Sequence, residues 1–249
     1  MTAVAAPGAG ETLVGTVRRL AGAQKGATGA PAWSRFVNRP LGRVLAALAF
    51  HAGLTPNAVT ALSATWTASG IAILAVAPAG WVTGAVVTAC LVLGYALDSA
   101  DGQLARLRGG GSPAGEWLDH VVDSAKNSSV HLAVALALWR LADLHPGWLL
   151  VPLGFCVLAV VHFTVTLLNE ALRARHGART RAERTAERPG VLRSLLVAPT
   201  DYGVLCLVFV LLGAPAVFLG VYTALALATA AYLVLALRRW YREMEGLTR

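Results

Sequence analysis

From residue 56 to residue 238 the chain is a succession of long apolar stretches, near 56–76, 80–107, 114–141, 147–171, 200–214 and 215–238. A helix needs about 20 such residues to cross a hydrocarbon core of about 30 Å. The chain therefore reads as an all-α, polytopic membrane protein with six transmembrane helices, the last two parted only by Gly213-Ala214-Pro215. Composition agrees, since 56% hydrophobic and 14% charged residues are too apolar a mixture for an ordinary soluble domain. Ahead of these stretches, Trp33–His51 sets Phe36, Val37, Leu41, Val44, Leu45 and Leu48 against Arg35, Arg39 and Arg43. That pattern predicts an amino-terminal amphipathic helix lying in the membrane interface, bent or interrupted at Pro40. Residues 1–32 scatter Gly, Ala, Pro and Arg without the apolar core of a signal peptide. Two regions are expected: a flexible cytosolic tail over 1–32, in which Val14–Leu20 with Arg18 and Arg19 could touch an anionic surface, and a membrane domain over 33–249.

Charge orients the chain. Under these spans 19 of the 21 Lys and Arg residues fall on one side, leaving Arg140 opposite and Lys126 inside a helix. Cytoplasmic segments carry such an excess, so the protein is expected in the cell (cytoplasmic) membrane with both termini inside. The formal charge of +8 does not point to nucleic acid, because the basic residues lie between apolar stretches and are not gathered with aromatics on a soluble domain. The arginine-rich connection after residue 171 either fixes topology and touches lipid phosphates or binds an anionic acceptor. Cys90, Cys156 and Cys206 each lie inside an apolar stretch without metal-ligand spacing and read as packing residues.

Against this apolar background, four carboxylates stand out. Asp98 and Asp101 are three apart at the end of the second stretch, and Gly115, Asp119 and Asp123 are four apart at the start of the third. Both spacings put side chains on one helical face. The glycine-rich connection Leu107–Pro113 folds the two helices back antiparallel, so that the acidic faces meet at the cytoplasmic interface. Converging carboxylates repel unless cations separate them, and hard oxygen ligands suit two Mg²⁺ or Mn²⁺ ions. Capping or solvation would explain one or two of these acids; four at this depth point to function.

The segment Asp98–Asp123 resembles the D-x2-D-G-x2-A-R-x8-G-x3-D-x3-D motif of the CDP-alcohol phosphotransferase, or phosphatidyltransferase, family at every fixed position, and Leu54-Thr55-Pro56-Asn57 with Thr60 looks like the family's opening of the first transmembrane helix. The resemblance implies transfer of a substituted phosphate from a CDP-linked lipid donor to an alcohol acceptor, with release of CMP, at a cytoplasmic two-metal site in the lipid bilayer. It also suggests a homodimer. By the same resemblance Asp98, Asp101 and Asp119 are principal metal ligands, and Asp123 lies near the second metal as the catalytic base. Gly102, Ala105 and Gly115 let the nucleotide approach, Arg106 lies near the donor phosphates, and Asn57 contacts the nucleotide or, more simply, belongs to a helix start.

Other positions stay open on the residues alone. His162, Thr166, Asn169 and Arg173 recur at helical spacing and either bond between helices or line an acceptor pocket. Lys126 is a structural counter-ion or a phosphate contact. His120 and His131 read as packing residues, with His120 expected to project away from the Asp119/Asp123 face. Pro199–Gly203 reads as a helix start capped by Asp201. The expected function is a phospholipid-synthesising transferase using CDP-diacylglycerol. The alternatives are another CDP-alcohol donor with a lipid acceptor and, more remotely, a transporter with intramembrane carboxylates.

Overall fold

The computed structural model describes residues 11–22, 31–141, 144–178 and 197–247; the run from Arg179 to Arg193 lies outside the described residues. Among the described residues every regular element is helical. In chain order these are α1 (Leu13–Gly22), α2 (Arg39–His51), α3 (Pro56–Val76), α4 (Trp81–Leu107), α5 (Pro113–Trp139), α6 (Leu150–Arg175), α7 (Tyr202–Val208) and α8 (Pro215–Gly246). A π-turn, Ser34–Asn38, precedes α2, and 3₁₀ turns precede α6 and follow α7.

Four helices are long and apolar enough to cross a membrane: Pro56–Val76, Trp81–Leu107, Pro146–Arg175 and Pro215–Gly246. The other two expected spans are present as helices but differ in character. α5 carries Glu116, Asp119, Asp123 and Lys126 along its first half, so its apolar part is confined to the second. Tyr202–Gly213 is a shorter apolar helix, stopped where Pro215 begins α8; at helical rise it spans only about 20 Å.

Contacts among the long helices rely on small residues, as membrane helices do where backbones approach closely. A Cβ at Gly94 would fall on Thr67, one at Gly70 would come within 2.9 Å of Cys90, and Ser63 donates to the Gly94 carbonyl at 2.8 Å. These contacts fix α3 against α4. On its other side α4 receives α2: a Cβ at Gly42 would meet Ser99 Oγ at 2.7 Å, Asn38 donates to the Tyr95 carbonyl and Gln103 to the Arg39 carbonyl. α2 thus buries its small residues Gly42, Ala46, Ala47 and Ala49, while Phe36, Leu41, Val44 and Leu48 face outward. The break expected at Pro40 is absorbed by the π-turn, because Pro in a first turn has no intrahelical partner to lose.

Within the segment expected as a flexible tail, Leu13–Gly22 is an ordered helix. Its Leu20 is fully buried, and Thr16 Oγ1 lies 3.1 Å from His51 Nε2 of α2. Burial of Leu20 among Ala46, Ala49 and Leu104 supplies the driving force that the tail reading left out. The three cysteines are free, with Cys90 and Cys206 buried.

Candidate active site

The α4–α5 connection decides where the acids go. α4 ends as the Gly110 N–H donates to the Ala105 carbonyl, and Gly109 and Gly110 take φ of 93° and 137°, backbone that L side chains rarely adopt. Ser112 then caps α5, its Oγ accepting from the Gly115 N–H at 3.0 Å, and Pro113 starts the first turn. The chain reverses over a few residues, which turns the acidic face of α4 toward that of α5.

The two faces are joined by Lys126. Its Nζ lies 2.8 Å from Asp98 Oδ1 on α4 and 2.5 Å from Asp123 Oδ1 one turn earlier on α5, with its side chain only 7% exposed. Asp101 is buried on the α3 side, where Thr60 donates to Oδ2 at 2.6 Å and the Gly102 N–H lies 2.5 Å from Oδ1. The charges of Asp98 and Asp119 reach both Asp101 and Asp123, so all four carboxylates share one electrostatic environment. Asp119, His120 and Asp123 each offer a ligand atom, all within 4.8 Å of one another. This oxygen-rich set with one imidazole fits a hard divalent ion.

His120 therefore does not project away from the acidic face. Residues 120 and 123 are an i, i+3 pair, about 60° apart around a helix, and that spacing is visible in the sequence. Thr60 was legible only as part of a motif; its bond to Asp101 depends on the packing of α3 against α4, which spacing does not give. Lys126 is a counter-ion in this geometry, and its ammonium also sits 5.7 Å from the Tyr202 ring centroid.

The small motif positions differ from one another. A Cβ at Gly102 would meet only Arg106 Nη1, at 3.7 Å, so protein packing does not require glycine there and the surface beside Asp101 is open. Ala105 and Arg106 are half-buried near it, and the Arg106 charge reaches Asp101. Gly115 is constrained from within, since a Cβ would approach Asn57 Oδ1 at 3.1 Å. Asn57 is thereby placed at the rim where α3 meets the start of α5.

A cavity of about 280 Å³ opens among α5, α6, the start of α7 and α8, lined by Asn127, His131, His162, Thr166, Tyr202 and Tyr232 among others. It shares Tyr202 with Lys126, which joins it to the carboxylate cluster. Of the four residues expected on the α6 face, His162 and Thr166 line this cavity; Asn169 and Arg173 do not. Arg173 instead reaches α8, donating from Nε to Glu243 Oε1 at 3.0 Å and from Nη2 to Glu243 Oε2 at 2.8 Å, and it also pairs with Glu170. Its guanidinium is spent on an interhelical tie, one of the two readings the spacing left open.

The family model described as CDP-alcohol phosphatidyltransferase matches residues 53–238, from the turn before α3 well into α8. The chain belongs to the CDP-alcohol phosphatidyltransferase family. Among curated proteins none matches the chain. Membership makes the protein a membrane-associated transferase that moves a phosphatidyl-type group from a CDP-alcohol to an acceptor, in a family that generally depends on divalent metal. The matched region contains α3, α4 and α5 entire, and with them every acid of the cluster.

Proposed function

We propose that this transferase moves the phosphatidyl group of CDP-diacylglycerol to a hydroxyl of an alcohol bound in the α5–α6–α8 cavity, releasing CMP. The observation that carries this reading is the convergence of Asp98, Asp101, Asp119 and Asp123 beside an open face at Gly102 and next to a mostly apolar cavity that also presents Asn127, His162 and Thr166. Asp98, Asp101 and Asp119 would hold Mg²⁺ or Mn²⁺ with Asp123 near the second ion, and His120 is a further available ligand. When bound, such ions supply charge neutralisation of the diphosphate and of the departing CMP. Gly102 and Ala105 leave room for the nucleotide against α4, Asn57 meets it from α3, and Arg106 pairs with an anionic phosphate oxygen. His162 and Thr166 orient the acceptor from the cavity wall.

The acceptor oxygen forms the new bond to phosphorus as the bond from phosphorus to the CMP oxygen breaks. CMP leaves with that electron pair, and Asp123 takes the hydroxyl proton. The reaction is a direct displacement without a covalent enzyme intermediate. The site faces the cytoplasm, as the one-sided distribution of Lys and Arg supports.

The test is purified protein with labelled CDP-diacylglycerol and a panel of alcohols, with CDP-alcohol donors and diacylglycerol alongside. CMP release from CDP-diacylglycerol that depends on one alcohol is the expected result. Release only from a CDP-alcohol with diacylglycerol as acceptor would assign the donor and acceptor the other way round.

A further inference from the structure

We propose that Lys126 is the built-in cation of the carboxylate cluster, occupying the ground between α4 and α5 that a bridging divalent ion would need. The resting site then takes one divalent ion tightly and admits a second only when an anionic diphosphate is also present. This rests on the two-ion reading above and specifies the order in which that site is filled.

The geometry assigns the role. The Lys126 ammonium contacts Asp98 on one helix and Asp123 on the other, at 2.8 and 2.5 Å. An ion joining those two carboxylates must displace it. The ligand atoms of Asp119, His120 and Asp123, by contrast, come from α5 alone and already lie within 4.8 Å of one another, so an ion there leaves α4 where it is. Lys126 is also hard to dislodge. Its side chain is buried, whereas Asp98 and Asp123 are only half-buried, so displacing the ammonium from these two carboxylates leaves a buried charge without its partners. Charge balance points the same way. As long as Lys126 keeps its place, four carboxylates and one ammonium are nearly compensated by a single divalent ion, whereas a second ion makes the cluster cationic until the donor's phosphates join it.

Lys126 is therefore a positioning residue, and metal counting is the readout that separates this role from a merely structural one. Mn²⁺ binding to purified wild-type protein is measured from the free-ion spin-resonance signal, with and without CDP and with protein-free CDP controls. One tightly held Mn²⁺ per chain is expected without CDP, with a second appearing when CDP is added. In Lys126→Met the second ion binds without CDP, about tenfold or more tighter than in wild type, as expected when a unit charge a few ångströms away is removed. Lys126→Arg, which keeps the charge, retains the wild-type order. Two equivalent Mn²⁺ ions on the wild type without CDP would overturn the proposal even if no variant folds. An unchanged second affinity in folded Lys126→Met would do the same. Failure of the wild type to bind any Mn²⁺, with or without CDP, would instead sink the metal reading on which the proposal depends.

Discussion

Thr60 and Asp101 illustrate what one contact contributes to this site. A buried carboxylate at membrane depth is costly unless its lone pairs are met, and the Thr60 hydroxyl and the Gly102 N–H meet those of Asp101. Thr60→Val keeps shape and removes the donor, so we expect CMP release to fall about 10- to 100-fold, with Thr60→Ser close to wild type. If Val and Ser variants behave alike in a turnover assay, the hydroxyl does not orient Asp101. For the acids themselves, Asp98→Asn, Asp101→Asn, Asp119→Asn and Asp123→Asn should each leave less than about 1% of the rate while the protein still inserts. Turnover that survives excess EDTA, or full activity in any two of these variants, would be fatal to the two-ion chemistry. The acids were legible in the sequence because their spacing is helical and their setting apolar. Partners such as Thr60 and Tyr202 were not, because they come from helices whose register against α4 and α5 is set by packing at Gly94, Gly70 and Gly84.

Among the elements, α6 and α8 are tied at their far ends by Arg173 and Glu243, with His162 stacked on Trp240 nearer the cavity. Arg173→Met removes the buried guanidinium and its two hydrogen bonds to Glu243, and we expect a loss of about 1–3 kcal/mol in a detergent unfolding measurement. The acceptor KM should stay within about twofold of wild type, whereas His162→Ala should raise it severalfold, since His162 lines the cavity and Arg173 does not. A larger acceptor effect at Arg173 than at His162 would return Arg173 to the acceptor site. The starts of α3 and α7 were readable from Thr55-Pro56 and Asp201 because capping is local chemistry. The docking of α1 was not, since Leu20 finds its pocket only once α2 and α4 are in place.

At the scale of the whole molecule, the proposed orientation rests on the Lys and Arg count, which puts 19 of 21 on one side under the six-span reading. In a background without native cysteines, Glu183→Cys should resist an impermeant thiol reagent applied outside intact cells and react after permeabilisation. Labelling from outside would invert the topology and move the site to the opposite face. Four of the six expected spans were readable from hydropathy as helices long enough to cross a membrane; the other two are helices of a different character, because α5 gives up much of its apolar length to the site and Pro215 cuts the preceding helix short. The Asp201 carboxylate accepts from the Ser34 N–H as well as from the Gly203 N–H, and the Trp33 ring lies where any side chain at position 203 would have to go. The entry to α2 is thus clasped by residues made 167 positions later. At ribosomal speeds of about 5–20 residues per second, that interval is roughly 10 to 30 seconds. For the later part of that interval, once residue 123 has been made, the newborn chain holds all four acids of the cluster but lacks the piece that latches the entry to α2, so a stalled or truncated product would carry the acids of the site without the finished bundle around them.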